Sequence, residues 1–290
     1  MWHRKNYRGF YKKSCYEKYY ETDSLGRIKT LYTGGDKDIV LIGDSQLEAL
    51  MVDNKNIVHN ELSKLFNDSF NVYNYGLSGT GPVQQLFILK DKVVEKSPSY
   101  VIHLMNLEND FNDTDPASFA SSSRPKVFIR LNKGEMEVVR PKNSSKEVLR
   151  EYLAYLQVYP TLKKALYKLK SIFKSTSSTD DKVQLKSYYV NYETKLSYFR
   201  KSMELLKNDV NARGAKYKLL FWSGAETKFQ DDLKTLLGDL GIEYTNISDL
   251  VTGFKNKEGY VYKCDSHWTE NGHKDLAKEI YSLIVNEERK

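Results

Sequence analysis

Four short polar segments carry the residue types that nucleophilic chemistry needs, and each is expected where a strand ends. The first is Gly43-Asp44-Ser45-Gln46. A serine on a tight strand-to-helix turn points its hydroxyl out of the sheet. Its backbone N–H sits at a helix start, where partial positive charge favours an anion. Ser45 is therefore a candidate nucleophile, although serine is also a favoured helix cap. The second is Asn74-Tyr75-Gly76-Leu77-Ser78-Gly79-Thr80-Gly81. A Gly-rich loop lets backbone N–H groups approach a ligand closely, but the lysine of a phosphate-cradling P-loop is missing. The third is Asn106-Leu107-Glu108-Asn109-Asp110. An Asn amide there can donate to a developing oxyanion, or form a cap or Asx-turn. The fourth is Asp265-Ser266-His267-Trp268. Histidine is the natural general base near neutral pH, and a close carboxylate fixes its tautomer. Of five histidines, only His267 has an acidic residue two positions before it. His273 reads as structural or exposed, and His103 as core. His3, His59 and His103 have no acidic partner nearby in sequence.

The elements that must position these segments read as alternating strands and helices. Asp38 to Gly43 is a short apolar run that predicts a buried parallel strand. A helix is expected from about Ser45 to Phe66, with Leu47, Leu50, Met51, Val58, Leu62 and Leu65 on one face. Strands are expected over 70–75, 99–105, 217–222 and 242–247. Helices are expected over 83–96, 226–240 and 272–286. This alternation predicts an α/β protein with a five-stranded parallel sheet covered on both faces. In such sheets the working residues gather at the carboxyl ends of the strands.

Residues 1–37 read as a polar and aromatic N-terminal arm, and 38–290 as the main domain with 111–184 as an insertion. Within the insertion, 127–131 and 136–139 predict a β-hairpin. Lys146 to Phe173 has a helical pattern kinked at Pro160, and Ser175 to Asp181 a loop composition. Loops over the strand ends shape a pocket, so the insertion is the expected source of substrate choice. Its Lys163, Lys164, Lys168, Lys170 and Lys174 fit a solvated face or an acidic glycan or membrane contact. Further on, Leu185, Tyr189, Tyr192, Leu196, Phe199, Met203, Leu206 and Val210 form a heptad-like stripe. That stripe predicts a long helix packed on the sheet, or a contact for a partner helix.

Composition narrows the classes. The 290 residues are 40% hydrophobic and 13% aromatic, enough for a sizeable core. Net charge is +7, but 45 basic and 38 acidic residues are interspersed. No nucleic-acid motif with readable side-chain spacing appears. Cys15 and Cys264 are far apart, which leaves one long-range disulfide or two free thiols, and no metal-ligand pattern. No apolar run reaches the roughly 18 residues of a membrane span. Met1 to Lys18 lacks the roughly 7–15-residue apolar stretch of a secretory signal. The compartment stays open: extracytoplasmic or cell-surface if a signal or anchor was removed, cytoplasmic otherwise.

Serine, glycine, asparagine, then Asp-x-His, each after a strand, resemble the SGNH/GDSL hydrolase superfamily from about Asp38 to Ser282, apart from the insertion. The resemblance implies a flavodoxin-like three-layer α/β/α sandwich. Ser45 resembles the nucleophile of the first block, while Gly79 and Asn109 resemble the oxyanion donors of the second and third. Asp265 and His267 resemble the fifth-block acid and base. The implied oxyanion hole is the N–H of Ser45, the N–H of Gly79 and the Asn109 amide. Gln46 stands where the family usually has leucine, Leu107 where it has glycine, and Cys264 where Asp-x-x-His would put the acid. Asp-Ser-His-Trp is more similar to the alginate O-acetyltransferase branch. The resemblance thus implies an acyl-ester hydrolase or O-acetyltransferase acting on an acylated small molecule or glycan through an acyl-enzyme. It implies no metal or organic cofactor, and it allows a membrane acyl-donor partner. A non-catalytic module that binds carbohydrate or docks a partner is the alternative.

Overall fold

Strands buried on both faces need helices on both faces, and the molecule is built that way. A computed structural model of the chain describes residues 2–67, 69–95, 97–116, 127–132, 135–139, 191–223, 228–256 and 258–289. Contacts divide the chain into two units: Met1–Thr114 with Tyr192–Lys290, and Asp115–Asn191.

The first unit opens with an antiparallel hairpin, β1 (Arg8–Lys13) and β2 (Tyr16–Glu21), in the register Phe10↔Tyr19 and Lys13↔Tyr16. The central sheet follows: β3 (Lys37–Gly43), β4 (Phe70–Gly76), β5 (Tyr100–Asn106), β8 (Lys216–Trp222) and β9 (Tyr244–Asn246). Its spatial order is β4-β3-β5-β8-β9 and every pair is parallel. In chain order this is 2-1-3-4-5, the flavodoxin-like winding. Its switch point, where ligands bind in such sheets, lies between the carboxyl ends of β3 and β5.

Residue alternation along β3 divides two cores. Ile39 and Leu41 point to one side, with Val58 and Leu62 of α2 (Val58–Phe66) and Leu276 and Ile280 of α9 (Glu270–Glu288). Val40 and Ile42 point to the other. There they meet Leu86 of α3 (Pro82–Asp91), Phe199 and Met203 of α5 (Tyr192–Ala212), and Leu233 of α6 (Lys228–Asp239). Burying each of these apolar side chains contributes roughly 1.5–3 kcal/mol. The result is the expected α/β/α layering. The stripe residues Phe199, Met203, Leu206 and Val210 are all buried in this second core. Leu185 and Tyr189 lie outside the described residues.

One expectation changes. The helix expected over 45–66 is two helices, α1 (Ser45–Glu48) and α2, separated by left-handed Ala49 (φ 52°) and a 3₁₀ turn at Asn54–Asn56. The cause is packing: α1 lies so close to β4 that a Cβ on Gly76 would sit 2.4 Å from Glu48 N. Asn74 Nδ2 then caps α1 by donating to Leu47 O at 2.8 Å. Leu65 is turned outward, at 38% exposure. The N-terminal arm contains the β1–β2 hairpin. Cys15 and Cys264 are not free thiols; they form a disulfide.

The second unit carries the antiparallel hairpin of β6 (Phe128–Asn132) and β7 (Glu135–Val139), with Phe128 opposite Val139. The helix expected over 146–173, its lysines and the 175–181 loop lie outside the described residues. The short helices α4 (Leu107–Asn112), α7 (Ile247–Leu250) and α8 (Gly253–Asn256) complete the description.

Candidate active site

The turn after β3 is forced tight by its neighbours. A Cβ on Gly43 would lie 2.5 Å from Leu104 O of β5, so only glycine fits. Asp44 then caps α1, its Oδ1 accepting from Gln46 N at 2.8 Å. Ser45 is thereby the first residue of α1, at the carboxyl end of β3.

His267 Nε2 lies 2.9 Å from Ser45 Oγ, a contact that spans 222 positions of sequence. On the far side of the ring, Nδ1 lies 3.1 Å from Asp265 Oδ2. His267 Nδ1 is buried, and its approach to Oδ2 is too oblique for an aligned N–H···O bond. The carboxylate still favours the tautomer with a proton on Nδ1, which leaves Nε2 to accept from the serine hydroxyl. Asp265 Oδ1 also accepts from His267 N at 3.2 Å. Ser266, between the two, is left-handed with φ 61°.

Asp265 is held from a distant part of the chain. Tyr16 OH donates to Oδ2 at 2.5 Å and Lys13 Nζ at 2.9 Å. The Asp265 side chain is only 4% exposed. Burial opposes its ionisation, but donors from Tyr16, Lys13 and His267 N outweigh burial and hold its pKa below the usual carboxylate value. Cys15, beside Tyr16, is bonded to Cys264, beside Asp265. Gln46 secures the same loop from the other direction. Its Nε2 donates to Ser266 O at 3.3 Å and its Oε1 accepts from Trp268 N at 3.0 Å. The residues on both sides of His267 are thus tied to the one that follows Ser45.

Ser45 and His267 open onto a cavity of about 280 Å³ whose lining includes Gly79, Asn109, Tyr11 and Glu48. Gly79 has φ 65°, a left-handed conformation that disfavours side chains. Asn109 Nδ2 makes long contacts to Asp44 Oδ2 (3.3 Å) and Asp113 Oδ2 (3.4 Å). Burial, with Asp113 and Glu48 nearby, pushes Asp44 up to about 7 despite donors from Gln46 and Asn109. Asp110 is raised well above the usual range by burial and by Asp44 and Asp113. Glu48 is buried, and its carboxylate contacts His3 Nε2 at 2.5 Å and accepts from the Ser78 hydroxyl. Among the described residues no cluster of His, Cys, Asp or Glu is arranged to hold a metal ion. No described helix is long and apolar enough to cross a membrane.

All five sequence-derived residues come together: Ser45, Gly79, Asn109 and His267 around the cavity, and Asp265 behind His267. His103 is core, bonded to Tyr217 OH (2.8 Å) and Gln85 Oε1 (2.6 Å). His273 is fully buried, not exposed. His3 does find a carboxylate, Glu48, 45 positions away. Sequence reasoning missed Lys13, Tyr16, Tyr11 and Glu48. One signal was present for the first two: a Cys15–Cys264 pair brings Tyr16 beside Asp265.

No family model matches the sequence, and no curated protein sequence matches it. Similar solved structures carry the names of GDSL-type lipolytic proteins and esterases. One is a protein assigned to the G-D-S-L lipolytic family from Desulfitobacterium hafniense DCB-2 (12% identity, 86% of this chain and 99% of that one, TM-score 0.47). Another is an acetylxylan esterase from Geobacillus stearothermophilus (12% identity, 87% and 95%, TM-score 0.44). A third is a two-domain esterase active on acetylated mannans (11% identity, 89% and 51%, TM-score 0.48).

Proposed function

We propose that this protein is a serine-dependent acyl-ester enzyme with Ser45 as nucleophile. The observation that carries the reading is the 2.9 Å contact between Ser45 Oγ and His267 Nε2. Such a pair, with a carboxylate behind the base, is what an activated nucleophile requires. Ser45 Oγ attacks the ester carbonyl while its proton passes to His267 Nε2. Asp265 stabilises the imidazolium. The carbonyl oxygen becomes an oxyanion, met by the N–H groups of Ser45 and Gly79 and by the Asn109 amide. His267 returns the proton to the leaving alkoxide, and an acyl-Ser45 ester remains. An acceptor hydroxyl, from water or a sugar, then gives its proton to His267 and takes the acyl group, and His267 passes that proton to Ser45 Oγ as the acyl–Oγ bond breaks.

The finer reading is acyl exchange on a carbohydrate. It rests on the Asp-Ser-His-Trp spacing and on Tyr11 in the cavity wall, an aromatic surface suited to a sugar face. Neither water nor sugar is favoured as acceptor by the geometry of the nucleophile. The Cys15–Cys264 bond favours an oxidising, extracytoplasmic setting.

The test is pre-steady-state release of p-nitrophenol from p-nitrophenyl acetate, with acetylated oligosaccharides as second substrates. The expected result is a burst that Ser45→Ala and His267→Ala both abolish. Mass spectrometry of free acetate and acetyl-sugar then separates hydrolysis from transfer. Unchanged turnover by folded Ser45→Ala protein would refute the nucleophile. Absence of any turnover by the folded protein would favour a binding module.

A further inference from the structure

Among the described residues, the β1–β2 hairpin reaches the active-site carboxylate more directly than any other element outside the histidine loop. Tyr16 and Lys13 stand opposite each other at the closed end of β1–β2. Both donate to Oδ2 of Asp265, the oxygen that faces His267 Nδ1. Tyr16 is itself fixed: it is 6% exposed and its ring packs 5.0 Å from Tyr262 and 5.8 Å from Tyr11. Burial and the Asp265 carboxylate both raise the Tyr16 pKa, so its hydroxyl keeps its proton and remains a donor. Lys18, farther along β2, is tied to Asp53 at 3.0 Å and Glu270 at 2.7 Å. The disulfide then joins the residue before Tyr16 to the residue before Asp265.

We propose that this hairpin is a working part of the active site: Tyr16 and Lys13 are positioning residues that set the Asp265 carboxylate against His267, and the Cys15–Cys264 bond latches them there. This rests on the reading of Ser45, Asp265 and His267 given above. The physical need is plain. Asp265 and His267 are separated by one residue, and the Nδ1 approach is oblique, so the position of Oδ2 decides how well the carboxylate supports the imidazolium. Two donors on that oxygen, delivered by a second strand pair, fix it from outside the loop. Opening the latch requires a dithiol reductant. It gives two electrons and two protons to the Cys15–Cys264 bond, leaves two thiols, and is itself oxidised to a disulfide.

The test is a kinetic double-mutant cycle in the full chain with p-nitrophenyl acetate, with folding checked by circular dichroism. Tyr16→Phe keeps the ring and removes only the hydroxyl. It should lower kcat about tenfold to a hundredfold, the worth of a hydrogen bond to a charged group, with KM within about twofold. In an Asp265→Asn background the same change should cost less than about twofold, because groups acting as a unit are not additive. Lys13→Met should behave likewise, and Lys13→Arg should restore most of the rate. Reduction by dithiothreitol, verified by thiol titration, should lower kcat while the fold persists.

Loss of the same factor in both backgrounds, or no loss in either, overturns the positioning role. Unchanged kcat after complete reduction overturns the latch, and so does global unfolding on reduction, which would make the bond a general staple. Activity that survives Ser45→Ala sinks the underlying reading instead, so the two failures are distinguishable.

Discussion

Replacing Gln46 by leucine, the residue that the SGNH pattern usually carries there, should loosen the base. Gln46 is 5% exposed, and its side-chain amide is the clamp between α1 and the His267 loop. Leucine fills a similar volume but accepts nothing from Trp268 N and donates nothing to Ser266 O. Leaving a buried N–H without its acceptor costs about 1–3 kcal/mol. At roughly 2–4 °C per kcal/mol for a domain of this size, the melting temperature should fall by about 2–12 °C. The kinetic effect is separate. If the loop relaxes by about 1 Å, Ser45 Oγ and His267 Nε2 leave hydrogen-bond distance, and kcat falls on the order of 10²-fold. Gln46→Glu is the informative companion, since it keeps the acceptor for Trp268 N but puts an oxygen against Ser266 O. Its melting temperature should lie between those of wild type and Gln46→Leu. Differential scanning calorimetry and p-nitrophenyl acetate kinetics read both effects. A Gln46→Leu protein with its melting temperature within about 1 °C of wild type, and kcat within about twofold, would refute the clamp.

Asp265→Asn should lower kcat on the order of 10²- to 10⁴-fold through loss of tautomer control, without unfolding; full activity would show that another group orients the base. Asn109→Ala should cost on the order of 10² to 10³ in kcat/KM, as an oxyanion donor does; a change below about threefold would remove it from that role. Asp44 should make the protein less stable as pH rises. Its folded pKa, about 7, lies above the unfolded value of 3.8, so the folded state binds the extra proton between them. Its contribution is complete below about pH 4 and is lost as pH rises through 7. The melting temperature of Asp44→Asn should therefore fall less between pH 5 and 8 than that of wild type, as differential scanning fluorimetry at stepped pH would show.

What the sequence made legible follows from burial. The run Ile39 to Ile42 is apolar throughout, and Val101 to Met105 is apolar except for His103, because both faces of the sheet are covered; such runs are readable without context. The polar segments after them were readable for the same reason, since they end where burial ends. The β1–β2 hairpin was not. Its two faces are half-exposed, so Arg8, Phe10 and Lys12 alternate with Gly9, Tyr11 and Lys13 without an apolar period. Nor was the break after Glu48, because alanine carries no mark of a left-handed conformation and the cause, Gly76, is in another strand. The hold on Asp265 depends on contacts across 249 and 252 positions, which no local pattern encodes.

Covalent capture would identify the nucleophile itself. The intact protein is treated with a fluorophosphonate, and the modified peptide is located by tandem mass spectrometry. Stoichiometric phosphonylation is expected on Ser45, lost in Ser45→Ala and strongly slowed in His267→Ala. Labelling on a different serine, or no labelling of a folded protein, would contradict it.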